Sequence, residues 1–106
     1  MVYKKITDSH KEMADFAKAL SHPARLMILQ ILAELKSCMC QRIVDKLPLS
    51  QSTVSQHLKE LKRVGLIKGE IDGPKICYCI DYEVFNKARE QFHQLFQEIN
   101  DISNCC

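Results

Sequence analysis

A chain of 106 residues, 46% apolar and 26% charged, has the length and composition of one globular domain, which excludes a disordered polar tract. The net charge of +2 says little by itself, but residues 36–75 carry eight basic side chains against four acidic ones, a basic middle between mildly acidic ends. The N-terminus lacks an apolar core and no run of about eighteen apolar residues occurs, so a cytoplasmic protein without signal peptide or membrane span is expected. In that compartment the six cysteines (Cys38, Cys40, Cys77, Cys79, Cys105 and Cys106) are expected to be reduced at rest and to serve as metal or redox ligands before structural disulfides.

In chain order, Ser9-x-x-Glu12 predicts a capping box opening a first helix within residues 8–20, with Met13, Phe16, Ala17 and Leu20 on one face. Ser21 can cap a second helix that tolerates Pro23 in its first turn. Its run Ala24 to Leu35 is apolar except at Arg25, Gln30 and Glu34, which makes it the central core helix. After the break at Lys36-Ser37, a short third helix begins around Cys38-Met39-Cys40 and ends at Pro48, with Ile43, Val44 and Leu47 inward.

The stretch from Leu49 to Gly65 is a helix with two stripes. Val54, Leu58 and Leu61 recur at helical spacing and demand burial, while Gln51, Ser52, Ser55, Gln56 and Lys59 form a stripe of amides, hydroxyls and a cation. Ser50 can accept the free N–H groups of the first turn, and Gly65 can take the left-handed conformation that ends a helix. Short helix, tight turn and polar-striped helix together, over 41–64, make a helix-turn-helix.

Residues 66–80 then alternate apolar and polar on either side of Asp72-Gly73, the turn signal of a hairpin, with Pro74 at the start of the second strand. Such a hairpin is a wing, and Lys68 and Lys75 can rest on phosphates. If Ile76, Tyr78 and Ile80 face the core, Cys77 and Cys79 share the opposite face and point to solvent. Asp81 caps the last helix, 81–102, whose Phe85, Ala88, Phe92, Leu95, Phe96, Ile99 and Ile102 form a nearly heptad stripe. The two terminal helices offer more apolar surface than a small domain can cover alone. The expectation is a mainly α winged helix-turn-helix of order α-α-α-α-β-β-α, one domain over 1–106, paired as a homodimer through 8–20 and 81–102.

The strings Leu20-Ser21-His22-Pro23-Ala24-Arg25-Leu26, Cys38-Met39-Cys40, Leu49-Ser50-Gln51-Ser52-Thr53-Val54-Ser55-Gln56-His57-Leu58 and Gly65-Leu66-Ile67 resemble the ArsR/SmtB family of metal-responsive repressors over residues 9–99. The resemblance implies a homodimer that binds double-stranded operator DNA and leaves it when a metal or metalloid ion binds. In that reading Ser50, Gln51, Ser52, Thr53, Ser55, Gln56, His57, Lys59, Lys62, Lys68 and Lys75 contact DNA, with base edges read by the amides and hydroxyls and phosphates held by the cations.

Zinc-sensing members carry paired His and carboxylate ligands on the last helix, where this chain has His93 without such partners. Cys38-x-Cys40 is instead similar to the Cys-Val-Cys of arsenic-sensing members. Soft thiolates select soft ions, and trivalent arsenic or antimony is satisfied by three sulfurs in a pyramid. The third cysteine found in many such members is replaced by Ile43, so the vicinal pair Cys105 and Cys106 is the expected source of the third sulfur. Substitution of Cys77 or Cys79 is expected to leave the response intact. The inducer is thus expected to be trivalent arsenic or antimony held by Cys38, Cys40, Cys105 and Cys106, with no organic cofactor, no membrane partner and no enzymatic activity. The alternatives are a thiol redox or persulfide sensor, or a sensor of another soft metal such as cadmium or lead.

Overall fold

The computed structural model describes residues 5–35, 38, 47–71 and 76–102. Within them the order is α1 (Asp8–Ala19), α2 (Pro23–Leu35), α3 (Gln51–Arg63), β1 (Ile67–Glu70), β2 (Cys77–Ile80) and α4 (Tyr82–Ile102). This is the expected winged helix-turn-helix. The short helix expected before Pro48, the Asp72-Gly73 turn with Pro74 and Lys75, and the cysteines Cys40, Cys105 and Cys106 lie outside the described residues.

The capping box of α1 sits two residues earlier than Ser9-x-x-Glu12 predicts. Thr7 is the N-cap: its Oγ1 accepts from the His10 backbone N at 3.2 Å, while the His10 ring Nδ1 accepts from the Thr7 backbone N at 2.9 Å. An imidazole thus plays the part usually given to Glu or Gln. Glu12 is drawn away to α4, where Gln91 Nε2 donates to it at 2.8 Å and the Lys87 ammonium lies at 3.1 Å. The buried face of α1 is Met13, Phe16 and Ala19, not Ala17, which is exposed.

Helix α2 starts without help from Ser21, whose hydroxyl donates back to the Lys18 carbonyl at 2.7 Å. Its first turn is held by His22, whose Nδ1 accepts from the Ala24 N at 3.0 Å. Ile28, Leu29 and Leu32 are buried, and this helix is central as expected, although Leu26 and Met27 remain exposed.

Helix α3 has the predicted ends. Ser50 accepts from the Thr53 N, and a Schellman closure follows Val64: Gly65 N donates to Lys62 O at 2.9 Å and Leu66 N to Leu61 O at 3.1 Å, with Gly65 at φ +87°. Val54, Leu58 and Leu61 are buried against α2 and the wing, each contributing about 1.5–3 kcal/mol relative to exposure.

The strands pair antiparallel with Ile67 opposite Ile80, Lys68 opposite Cys79, Gly69 opposite Tyr78 and Glu70 opposite Cys77. In β2 the alternation holds, with Tyr78 and Ile80 buried. In β1 it does not: after Ile67 the next three residues are exposed, since Gly69 on the inner face carries no side chain to bury. Gly69 has φ +112°, and a Cβ there would strike the Cys77 carbonyl oxygen, so the strands approach this closely only because the residue is glycine. Asp81 caps α4 as predicted, its Oδ1 accepting from the Glu83 N at 3.2 Å and the Val84 N at 3.4 Å.

Candidate DNA interface and thiol pair

The outward stripe of α3 is narrower than its polar residues suggest. Ser52, Gln56, Lys59 and Lys62 are exposed. Ser50 and Thr53 are engaged in the cap, the Ser50 hydroxyl donating to Thr53 Oγ1 at 2.9 Å, while Gln51 Nε2 donates to Ser55 Oγ at 3.4 Å. Arg63, at the end of the same helix, is held by Asp15 at 2.9 Å and Glu60 at 2.8 Å, an exposed cluster that lashes α3 to α1. These pairings hold the Asp15 and Glu60 carboxyls below their ordinary range, the Arg63 hydrogen bonds being the first cause.

His57, expected to contact DNA on sequence grounds, points the other way. It is 7% exposed, its Nδ1 accepts from Arg25 Nε at 3.1 Å, and its ring lies 4.3 Å from that of His22. Arg25 Nη1 also donates to the carbonyls of Lys18 and Ala19 at 3.2 and 3.3 Å. One guanidinium therefore ties the C-terminus of α1 to the middle of α3, neutralising carbonyls that a helix end leaves unpaired. With Nδ1 accepting, the ring proton sits on Nε2, which is buried without a hydrogen-bond partner among the described residues.

Burial, followed by the nearby charges of His22 and Arg25, holds His57 below its ordinary value of 6.5. The unfolded chain then binds a proton that the folded chain refuses. Stability that is full above pH 6.5 is therefore lost as pH falls through the folded value, whereas the depressed carboxylates act only at lower pH. Thermal melts should show the wild type losing more stability than His57→Gln between pH 7.5 and 5.5. Parallel losses in the two proteins would remove His57 as the cause.

The outer face of the wing carries Lys68 and Glu70 on β1 opposite Cys79 and Cys77 on β2. Contrary to the expectation that both thiols point freely to solvent, each is half-buried and engaged. Cys77 is in a disulfide, against the expectation of six reduced thiols, and its partner lies outside the described residues. Cys79 is hydrogen-bonded to the thiol of Cys38, and that contact, followed by burial, pushes its pKa up. Cys38, expected as an ion ligand, and Cys79, left without a role, are thus brought together. Only the long-range fold could reveal it, since they belong to separate elements. Among the described residues no group of three metal-ligating side chains is assembled.

Alongside the wing and α1, the first half of α4 lines an open apolar groove of about 550 Å³, bounded by Ala17, Leu20, Leu66, Phe85, Phe92 and Phe96 among others. Beyond it Phe96, Ile99 and Ile102 are 63%, 56% and 70% exposed. Leu95 belongs elsewhere, lining a small cleft with Met13 and Gln91 on the other side of α1. No helix among the described residues is long and apolar enough to cross a membrane.

Residues 20–70 match a family described as a helix-turn-helix domain. An uncharacterised HTH-type transcriptional regulator of Methanocaldococcus jannaschii is 39% identical over 73% of this chain and 88% of its own. A transcriptional repressor SmtB homolog of Synechocystis is 33% identical over 78% of this chain, which spans 63% of that longer protein. Among solved structures, an ArsR-like transcriptional regulator from Rhodococcus superimposes with a TM-score of 0.70 over 90% of this chain and 89% of its own, at 24% identity.

Proposed function

For a chain that belongs to the ArsR/SmtB family of winged-helix transcriptional regulators, we propose a repressor that holds operator DNA as a homodimer and releases it when trivalent arsenic or antimony binds its cysteines. One observation supports the DNA reading above all: α3 buries Val54, Leu58 and Leu61 and leaves Ser52, Gln56, Lys59 and Lys62 in solvent. A helix so seated turns the Gln56 amide and the Ser52 hydroxyl, which also meets Ser50 Oγ at 3.3 Å, towards base edges and carries Lys62 within reach of phosphates. Lys68 and Lys75 would extend the phosphate contacts along the wing. The reading of a second copy is supported by the groove of Phe85, Phe92 and Phe96, continued by the exposed Ile99 and Ile102, which is apolar and uncovered in one chain.

Gln56→Ala should weaken binding to the specific operator by about 5–150-fold, the equivalent of about 1–3 kcal/mol, and barely alter binding to random DNA. Lys62→Ala should weaken both and flatten the salt dependence. Equal losses of Gln56→Ala on the two DNAs, measured by fluorescence anisotropy, would show that α3 does not read sequence.

The inducer reading begins from Cys38 and Cys40, soft ligands two residues apart, with Cys105 and Cys106 as the sequence-level source of a third sulfur. A second reading is supported by the Cys38 and Cys79 contact and by the disulfide at Cys77. Two thiols in contact can be oxidised to a disulfide by peroxide, which is reduced to water as the two thiol protons leave. Operator release by peroxide with no metalloid present, and none by arsenite, would select it.

A further inference from the structure

We propose that Arg63 serves DNA recognition through Asp15 and not through phosphate: the pair is a strut that fixes the pose of α3 against α1, and so sets how well α3 tells its operator from other DNA. This rests on the DNA and dimer reading above. It gives Arg63, a cation on the reading helix, a role other than the one its charge suggests.

The guanidinium is already engaged. Its Nη1 and Nη2 donate to the two carboxylate oxygens of Asp15 at 3.1 and 2.9 Å, while its Nε and Nη2 donate to those of Glu60 at 3.1 and 2.8 Å. Two forks of this kind use most of the donors an arginine has, in the geometry where its pairing with carboxylates is strongest and most directional. One positive charge between two negative ones also leaves the cluster anionic as a whole. A phosphate approaching it meets net repulsion and would have to displace a carboxylate.

What the strut joins follows from the helices. Asp15 lies one turn after Glu12 on α1, so the two carboxylates are neighbours on its surface. Glu12 turns to α4, where Gln91 Nε2 donates to it at 2.8 Å and the Lys87 ammonium lies at 3.1 Å, and Asp15 turns to α3. A polar line therefore runs from the reading helix through α1 to α4, the helix that carries the exposed Phe96 and Ile99.

The apolar stripe of α3 seats it on α2 and β1, and two guanidinium groups tie it to α1. Arg25 reaches from His57 to the carbonyls of Lys18 and Ala19, and Arg63 grips Asp15. His57 and Arg63 are about 9 Å apart along the helix axis. One tie leaves a pivot, whereas two ties so separated fix a direction. The Arg63 and Asp15 side chains are 44% and 49% exposed, so their pairing adds little to the stability of the fold. Its leverage is on DNA, because hydrogen bonds to base edges weaken steeply when misaligned, while long lysines on phosphates tolerate a tilt. Loss of the strut is thus felt in the ratio of specific to random binding.

The test compares a duplex that the wild type selects from a randomised library with an unselected duplex of the same length, by fluorescence anisotropy over a series of salt concentrations. Asp15→Ala removes a negative charge, so electrostatics alone would tighten binding to both. With the strut lost, binding to the selected duplex should instead weaken, and the selected-to-unselected ratio should fall by about 3–5-fold, the scale of an exposed ion pair of good geometry. Arg63→Met, which keeps the aliphatic stem, should lower the ratio equally and leave the salt slope unchanged. The double variant should lose no more than either single one, since both remove the same interaction. Independently of any variant, the Arg63 Nε–H resonance of the isotope-labelled wild type should keep its chemical shift when the selected duplex is added. Equal losses on both duplexes with a flattened salt slope in Arg63→Met would make Arg63 a phosphate contact. Tighter binding of Asp15→Ala to both duplexes would show that the pair positions nothing. Either result overturns the strut and leaves the DNA reading intact, whereas a wild type that selects no sequence from the library would end both.

Discussion

Phe96→Glu should turn a dimer into a monomer and weaken operator binding by about 100-fold or more. Phe96 is 63% exposed in one chain, so a glutamate there costs the isolated fold little. In a dimer the same carboxylate would be stranded in an apolar seam with Phe92, Ile99 and Ile102, where an unpaired charge is expensive. Exposed large side chains covered by a second copy return about 1.5–3 kcal/mol each. The loss on DNA follows because a dimer engages two half-sites about 34 Å apart, and linking two binding events raises avidity by roughly 10²–10⁴. Sedimentation velocity and anisotropy read the two effects, with Asn86→Glu, an equal charge change at another exposed position of α4, as control. A Phe96→Glu protein that still sediments as a dimer would place the interface elsewhere. Leu95→Glu is the poorer probe, since Leu95 packs in the cleft beside Met13 and its loss would damage the monomer.

What the sequence made legible is local. Ser50 and Gly65 bound α3 because capping depends on one side chain and one left-handed residue, and Asp81 opens α4 for the same reason. The stripe of Val54, Leu58 and Leu61 is legible because periodicity is a property of the helix alone. Misreadings arose where a distant partner decided the outcome. Ser9 and Glu12 have capping-box spacing, yet Glu12 is claimed by Lys87 and Gln91, 75 and 79 positions away, and the box passes to Thr7 and His10. His57 is expected at DNA by its chemistry, although it lies three residues after Val54 and four before Leu61, on the buried side. Arg25 reads as a solvent-facing exception on an apolar helix; its partners on α1 and α3 exist only once the helices pack. The meeting of Cys38 with Cys79 is of the same kind. Spacing reveals Cys-x-Cys pairs, but which pair faces which is a property of how the wing folds back.

Cys38→Ser should bind the operator within about twofold of the wild type and ignore arsenite altogether. The first half follows from exposure: Cys38 is exposed, so replacing its sulfur by oxygen removes almost no packing and changes no charge on the reading face. The second half follows from coordination chemistry, since a serine hydroxyl is a hard, weakly acidic donor that does not replace a thiolate on a soft trivalent centre. The effect is large because coupling is all that an inducer has. A ligand moves the DNA-binding equilibrium only by its differential affinity for the two states, typically about 1–3 kcal/mol, and removing a ligand removes that difference rather than reducing it in proportion. Linkage supplies a check independent of gene regulation. If arsenite weakens operator binding by a given factor, operator DNA must weaken arsenite binding by the same factor in the wild type, and in Cys38→Ser both factors should fall to about one. Calorimetric titration of arsenite into free and operator-bound protein measures the second factor directly. Unequal factors in the wild type would mean that arsenite acts by unfolding or aggregating the protein. An undiminished response in Cys38→Ser would show that the ion is held without the residue on which the whole thiol site is centred.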